Sequence, residues 1–199
     1  MKFITVTGYK GGVGKSTTAI HLATFFSELG NTLLVDGDLN RTSLAWAERG
    51  EFPFEVVNQH KAMKATSGKD FVIIDTPARP DSDELSELAE GCDLLILPTT
   101  PDVVSLQPMM QTATDLGDNV AYRVLITIVP PYPNKEGQVM KQELQKANLP
   151  VFKTLIRRTT GYQQAALKGV PIRDLKTSDL RKAWQDYKNL GKEIQELWQ

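Results

Sequence analysis

A glycine-rich loop between an apolar run and a helical pattern is the feature that most limits how this chain can fold. The run Phe3–Thr7 is rich in β-forming residues, and Ser16–Leu29 carries apolar side chains at helical spacing. The loop between them turns backbone N–H groups inward at the start of a helix, where the helix dipole is positive. The order of strand, glycine loop and helix therefore predicts a phosphate-binding loop. Its sequence is Tyr9-Lys10-Gly11-Gly12-Val13-Gly14-Lys15-Ser16-Thr17-Thr18.

The residue types in this loop suit a nucleoside triphosphate with its metal ion. Lys15 places an ammonium near the β- and γ-phosphate oxygens, and the Ser16 hydroxyl can ligate Mg²⁺. The sequence therefore predicts ATP and Mg²⁺ as cofactors. The predicted nucleotide-binding residues are Gly11, Gly12, Val13, Gly14, Lys15, Ser16 and Thr17.

Apolar runs alternate with helical patterns along most of the chain. This alternation predicts an α/β domain with a doubly wound, mostly parallel sheet flanked by helices, formed by residues 1–199 as a single domain. The stretch Glu51–Lys69 predicts only a short strand near Val56-Val57 in an irregular crossover. The expected strands are Phe3–Thr7, Thr32–Val35, Phe71–Ile74, Leu94–Leu97, Val124–Val129 and Val151–Ile156. The expected helices are Ser16–Leu29, Asp83–Ala89, Val103–Leu116, Gln138–Ala147, Thr160–Leu167 and Ser178–Trp198.

Composition places the chain among soluble proteins of a reducing compartment. Its 199 residues are 41% hydrophobic and 24% charged, and no apolar run approaches the roughly 18 residues that span a bilayer. Cys92 stands alone and the N-terminus has no signal-peptide pattern, so we expect a cytoplasmic location. Neither histidine belongs to a His/Cys cluster with metal-ligand spacing.

The near-neutral net charge of −1 conceals an uneven distribution. Residues 1–133 hold 10 Lys/Arg against 17 Asp/Glu, whereas residues 134–199 hold 13 against 7. A basic C-terminal third is either an ordinary solvated surface or a footprint for phosphate backbones, and charge alone does not separate the two.

The second lysine of the loop points to a family. The run Lys10-Gly11-Gly12-Val13-Gly14-Lys15-Ser16 resembles the deviant Walker A motif of the ParA/MinD ATPases. The resemblance implies a homodimer that sandwiches ATP, in which Lys10 reaches the partner's phosphates. Without it, the residues leave open that Lys10 simply points to solvent.

Two further motifs follow in the order this family shows. Leu33–Asn40 is a buried run that ends in paired acids, and Asp38 matches the switch I aspartate that orients the attacking water. For Asp36, capping of local backbone amides and a role at the metal both remain open. Phe71–Ala78 resembles Walker B and switch II, with Asp75 holding Mg²⁺. Leu39-Asn40 stand where relatives commonly carry Pro-Gln.

The resemblance implies a slow ATP hydrolase that a partner stimulates, with Lys10, Lys15 and Asp38 as catalytic residues. It further implies non-specific binding of nucleoid DNA, for which Arg157, Arg158, Arg181 and Lys182 are the candidate contacts. A cargo adaptor, ParB-like or McdB-like, would trigger hydrolysis, and the cargo would be a plasmid or a protein organelle such as the carboxysome. We expect no N-terminal helix-turn-helix domain, because Walker A begins near residue 10.

Two other functions remain to be weighed. A MinD-like membrane ATPase would end in a basic amphipathic helix, but the apolar stripe within Ser178–Trp198 is accompanied by acids as well as lysines, so we expect a core helix and no stable membrane association. A metabolic ATP-dependent ligase would need a substrate cluster that the sequence does not show. An iron–sulfur relative would need two cysteines per subunit, and only Cys92 exists.

Overall fold

Short apolar runs pair side by side into a parallel sheet. The computed structural model describes residues 1–38, 41–116 and 120–199, and the sheet is built from strands within these ranges. The strands are β1 (Lys2–Gly8), β2 (Thr32–Asp36), β3 (Glu55–Asn58), β4 (Phe71–Ala78), β5 (Leu94–Thr99) and β6 (Tyr122–Ile126). They lie in the order β3-β2-β4-β1-β5-β6, and every neighbouring pair is parallel. The sheet confirms the predicted α/β class.

Helices cover both faces of the sheet, as parallel crossovers require. They are α1 (Lys15–Phe26), α2 (Thr42–Ala47), α3 (Gln59–Ala65), α4 (Ser82–Glu90), α5 (Val103–Leu116), α6 (Glu136–Lys146), α7 (Gly161–Lys168) and α8 (Ser178–Glu196). On one face α1, α2, α7 and α8 share a single apolar cluster with the sheet. On the other face α4, α5 and α6 form one cluster and α3 another. None of the helices built from the described residues has the length and apolar character needed to cross a membrane.

The stretch Glu51–Lys69 is more regular than the sequence suggested. The short strand expected near Val56-Val57 is present as β3, and α3 follows it directly. The Asn58 side chain accepts a hydrogen bond from the Lys61 amide and so caps α3. The sequence prediction missed both α2 and α3, which at six and seven residues are too short to show a helical period of apolar side chains.

The predicted strand Val151–Ile156 is wrong. The segment forms no continuous ladder with β6: Val151 makes an isolated bridge to Val124, the Ile156 amide donates to the Ile126 carbonyl, and a second bridge joins Val129 to Arg157 beyond both segments. Between these points the amides of Lys153 and Thr154 donate to the carboxylate of Glu193 on α8, at 2.6 and 3.1 Å. Because a side chain satisfies these backbone donors, the apolar run does not extend the strand ladder.

The last helix, α8, packs into the core as expected. On the apolar stripe of this helix, Tyr187, Leu190 and Ile194 are at most 1% exposed, whereas Leu197, directly after the helix, is 38% exposed. The apolar stripe of α8 is therefore buried within this chain.

A buried histidine ties the neighbourhood of α8 to the helix that follows the phosphate loop. His21 on α1 is fully buried, and its Nε2 accepts a hydrogen bond from the Ile172 amide at 3.1 Å. Nδ1 therefore carries the proton and donates to the Thr17 carbonyl at 2.6 Å. The ring stacks on Tyr187 and meets Tyr162 edge-on. Burial in this aromatic cage lowers the pKa of His21 to about 4.

This histidine makes the protein's stability depend on pH. Because the folded-state pKa lies below the ordinary value near 6.5, the unfolded state takes up the proton first and stability falls as pH drops below about 6.5. The linkage accounts for about 2 kcal/mol of the unfolding free energy lost between pH 7 and pH 5. We expect His21→Gln to flatten this dependence in urea titrations across that range. His60→Gln, at an exposed site, is the matched control and should leave the slope unchanged; equal slopes for all three proteins would contradict the prediction.

Candidate functional site

The phosphate loop has the backbone shape that its glycines allow. Gly12 and Gly14 have φ of 77° and 86°, the left-handed region that favours glycine. Gly14 is the N-cap of α1, and no side chain makes a capping hydrogen bond there. The amides at the start of α1 are therefore open to an anion, as a phosphate site requires.

A residue just after β6 holds this loop in place. The Thr127 hydroxyl lies 2.7 Å from the Val13 carbonyl and 3.1 Å from the Thr99 carbonyl, so it bridges the loop to β5 and β6. Val13 itself is 2% exposed and anchors the centre of the loop in the core. Sequence reasoning missed Thr127, since nothing in the pattern of a strand end marks a threonine that faces the loop.

The two lysines of the loop occupy different environments. Lys15 is 8% exposed, and burial lowers its pKa, with opposing contributions from Asp75 and Asp38. Lys10 is exposed, and its Nζ lies 3.4 Å from Asp102 and 3.1 Å from the Ser105 hydroxyl at the start of α5. Lys15 thus faces the inside of the loop with the carboxylates, whereas Lys10 lies on the outer rim.

Asp75 is the most deeply buried acid of the site. It is fully buried, and its Oδ2 accepts a hydrogen bond of 2.8 Å from the Ser43 hydroxyl on α2. Its Oδ1 is also buried and has no hydrogen-bond partner among the described residues. Burial raises the pKa of Asp75 to about 6, although the nearby Ser16 and Ser43 hydroxyls oppose the shift. An orphaned carboxylate oxygen beside Ser16 fits a hard cation such as Mg²⁺.

Asp36 resolves one of the alternatives that the sequence left open. Its Oδ1 accepts from the Asp38 amide at 3.0 Å and its Oδ2 from the Leu44 amide at 2.8 Å. Both oxygens thus accept hydrogen bonds from backbone amides, and the carboxylate ties the end of β2 to α2. Asp36 lies opposite Asp75 in the register of β2 and β4. This arrangement is the capping role.

Asp38 lies just beyond β2, next to the buried acids. Its charge and that of Asp75 both act on Lys15, so the three side chains belong to one electrostatic cluster. Leu39 and Asn40 lie outside the described residues. No group of three His, Cys, Asp or Glu side chains suited to a metal ion occurs in the described part of the chain. A metal held at this cluster would draw other ligands from water and from substrate phosphates, as Mg²⁺ commonly does.

A cavity of about 660 Å³ adjoins the phosphate loop. Gly12, Gly14 and Thr17 line one side, and the segment after β6 and the residues before α7 line the other. Its lining includes Thr127, Ile128, Pro131, Ile156, Arg157, Arg158 and Tyr162. The cavity is of a size to hold a small organic group next to the phosphate loop.

The four residues predicted to contact DNA lie in two different environments. Arg157 makes a bidentate pair with Asp186 on α8, with Nε and Nη2 at 2.6 and 2.7 Å from its oxygens. Arg157 and Arg158 both line the cavity beside the phosphate loop. Arg181 and Lys182 are exposed on α8. The Asp186 pair offsets the charge of Arg157, so Arg181 and Lys182 are the pair that presents positive charge on an open helix surface.

The comparisons with known proteins agree with the geometry. Residues 4–172 match the family described as the CobQ/CobB/MinD/ParA nucleotide binding domain. The chain is 31% identical to maintenance of carboxysome distribution protein A of Gloeobacter kilaueensis, over 99% of this chain and 95% of that protein.

Two solved structures share the fold at low sequence identity. Apo McdA from Cyanothece superposes with a TM-score of 0.75 at 17% identity, covering 98% of this chain and 99% of that one. A putative plasmid partition protein of Borrelia burgdorferi bound to AMPPNP gives a TM-score of 0.74 at 18% identity, covering 98% of each chain. From the family match and the full-length relative, we conclude that this chain belongs to the CobQ/CobB/MinD/ParA family of nucleotide-binding domains, as its ParA/MinD-like phosphate loop predicted.

Proposed function

We propose that the chain is a Mg²⁺-dependent ATP hydrolase whose ATP-bound dimer binds DNA without sequence preference and positions a cargo. The observation that carries this proposal is the contrast between its two loop lysines, one buried against the acids and one on the outer rim. Lys15 lies inside the loop, where it would neutralise the phosphates of the nucleotide bound to its own chain. Lys10, on the outer rim, is then left without a phosphate in that chain. A second copy of the chain, facing the loop, would bring its phosphates within reach of Lys10.

The described contacts support the following chemistry within one subunit. When bound, Mg²⁺ would neutralise charge that develops on the β- and γ-phosphates. Ser16 and Asp75 would hold the ion, and the unpartnered Asp75 Oδ1 is the oxygen available for it or for its water. Lys15 stabilises charge on the transferred phosphoryl group, and Asp38 orients the attacking water. A carboxylate beside a triphosphate is a weak base, so basal turnover is slow until a partner orders the site.

The nucleoside of ATP fits the cavity beside the loop. Ile128, Pro131 and Ile156 offer apolar contacts, and Arg158 offers a planar cation for stacking on a base. Arg157 is held in place by Asp186 and so serves as a fixed wall of this cavity. Arg157 and Arg158 would then also serve the nucleotide site, and their contact with DNA stays a prediction.

DNA binding is assigned to the exposed basic surface of α8. Arg181 and Lys182 lie near its start, and Lys176 just before the helix is also exposed. Dimerisation would double this surface, and non-specific affinity rises with each phosphate neutralised. The burial of the apolar stripe of α8 within the chain favours DNA over a membrane surface. The full-length relative named for carboxysome distribution supports a protein organelle as cargo, and the plasmid partition protein supports a plasmid.

The first experiment measures binding of the purified chain to unrelated DNA duplexes without nucleotide, with ADP, and with ATP plus Mg²⁺, with anionic liposomes in parallel. We expect salt-sensitive binding to every duplex, and only in the condition with ATP plus Mg²⁺. Arg181→Ala combined with Lys182→Ala removes four charges per dimer and should reduce the slope of log affinity against log salt by about 3 to 4. Lys61→Ala plus Lys64→Ala, exposed on α3, is the matched control. Liposome binding without DNA binding would favour a MinD-like function.

The second prediction concerns Lys10. Lys10→Ala should leave ATP binding within about threefold of the parent but abolish ATP-dependent dimerisation and turnover, because the lost charge serves the other subunit. Analytical ultracentrifugation with ATP and Mg²⁺ measures the dimer, and a fluorescent ATP analogue measures binding. Asp102→Ala, which removes the partner of Lys10 in its own chain, tests whether loss of that contact alone has the same effect. A Lys10→Ala protein that dimerises normally would refute the assignment across the interface.

The third prediction concerns Asp38. Asp38→Ala should lower turnover by about 10²-fold while leaving the ATP-bound dimer intact, so that the protein stays on DNA longer. Dissociation from DNA-coated surfaces after removal of free protein measures the dwell time. Asp83→Ala, at an exposed position on α4, is the control. Turnover at the parent rate would remove Asp38 from the mechanism.

A further inference from the structure

One face of the sheet has a gap in its layer of helices. On that face the apolar cluster beneath α3 is separate from the cluster beneath α4, α5 and α6. On the opposite face a single cluster joins α1, α2, α7 and α8. The gap between α3 and α4 is a groove of about 870 Å³.

The floor of this groove is apolar. Phe3, Val72 and Ile74 from β1 and β4 face it, and Ala62 and Met63 form the wall on α3. Met63 is 89% exposed and so lies open to solvent at the edge of the groove. The groove thus presents sheet and helix surface of the kind that proteins normally cover.

The wall on α4 is acidic. Residues 81–90 contain five Asp or Glu and no Lys or Arg, and Glu84 and Glu87 line the groove itself together with Leu88. The lining also includes Arg79, at the end of the groove that follows β4, whereas Lys61 and Lys64 of α3 do not belong to it. An occupant with apolar side chains and a cation toward α4 would complement both surfaces.

One end of the groove is built from the segments that flank the catalytic carboxylates. Gly37, next to Asp38, lines it, and so does the stretch 76–80 directly after Asp75. The Gly37 amide donates to the Asp75 carbonyl at 2.8 Å, so the two segments are joined. The Arg79 amide donates to the Gly8 carbonyl at 3.2 Å, which connects this end to the start of the phosphate loop.

We propose that the groove between α3 and α4 binds an amphipathic segment of a partner protein, with apolar side chains on the sheet and a lysine or arginine against Glu84 and Glu87. This inference rests on the proposed function in one respect, namely that the segment belongs to the adaptor that sets the hydrolysis rate. Its occupancy would fix the two segments that carry Asp38 and Asp75. The groove is therefore a place where binding outside the nucleotide site alters the geometry within it.

The test uses a display library of random 12-residue peptides selected on the full chain with ADP present, so that selection does not depend on hydrolysis. We expect the enriched peptides to combine apolar residues with at least one Lys or Arg. Glu87→Lys should weaken their binding by about tenfold or more, measured by fluorescence anisotropy. Glu90→Lys makes the same charge change on α4 outside the groove lining and should leave binding unchanged.

A second pair of variants tests the volume of the groove. Ala62→Trp fills it and should abolish peptide binding, whereas Lys64→Trp places the same side chain on the exposed side of α3. Circular dichroism shows whether each variant is folded. Bound peptides should also change the ATP turnover of the parent chain, and basal turnover measured without peptide tests the proposed function separately.

Three results would overturn the proposal. The first is a selection that enriches acidic peptides, or one that enriches only peptides whose binding Glu87→Lys and Ala62→Trp do not weaken. The second is peptide binding in the groove that leaves turnover unchanged in an active enzyme. The third is concentration-dependent self-association that Ala62→Trp removes, because it would assign the groove to a second copy of this chain.

Discussion

The burial of Asp75 at the carboxyl edge of the sheet is the constraint on which the rest of the site depends. A carboxylate out of contact with water is costly unless its oxygens have partners. Ser43 provides for one oxygen, and the other has no partner among the described residues. The fold therefore holds a group that a divalent cation would stabilise. Lys15 lies in the same cluster, where its charge partly offsets the acids even before a nucleotide binds.

The neighbouring contacts keep this cluster in shape from three sides. Asp36 accepts a hydrogen bond from the Leu44 amide and so ties β2 to α2, and α2 brings Ser43 to Asp75. Thr127 holds the phosphate loop from the β6 side. His21, one turn further along α1, donates a hydrogen bond to the Thr17 carbonyl. The acids and the loop are thus positioned by side chains from β2, α1, α2 and the residue after β6, so the site depends on several elements of the fold rather than on one motif.

The central features could be predicted from the sequence because they depend on local patterns. The runs that form β1, β2, β4 and β5 are continuously apolar, as strands buried on both faces must be, and the glycine loop carries its own geometry. The features that could not be predicted depend on single distant contacts. Glu193 lies about 40 residues beyond the amides that it accepts, and nothing in Val151–Ile156 reveals it. The pairing of Arg157 with Asp186 could not be predicted for the same reason. The sequence alone indicates only two neighbouring positive charges at Arg157-Arg158, because the acid that pairs with Arg157 lies 29 residues further on.

The two loop lysines differ in whether their charge is used within one chain. Lys15 is buried with the carboxylates and offsets charge inside its own subunit. Lys10 is held on the rim by Asp102 and Ser105, in a contact between exposed groups that contributes little stability. A weakly held cation is easily released to a stronger anion, and the phosphates of a nucleotide in a facing copy are such an anion. In the dimer that we propose, Lys15 would serve the nucleotide of its own subunit and Lys10 would exchange Asp102 for the partner's phosphates, so that nucleotide binding and dimerisation would depend on each other.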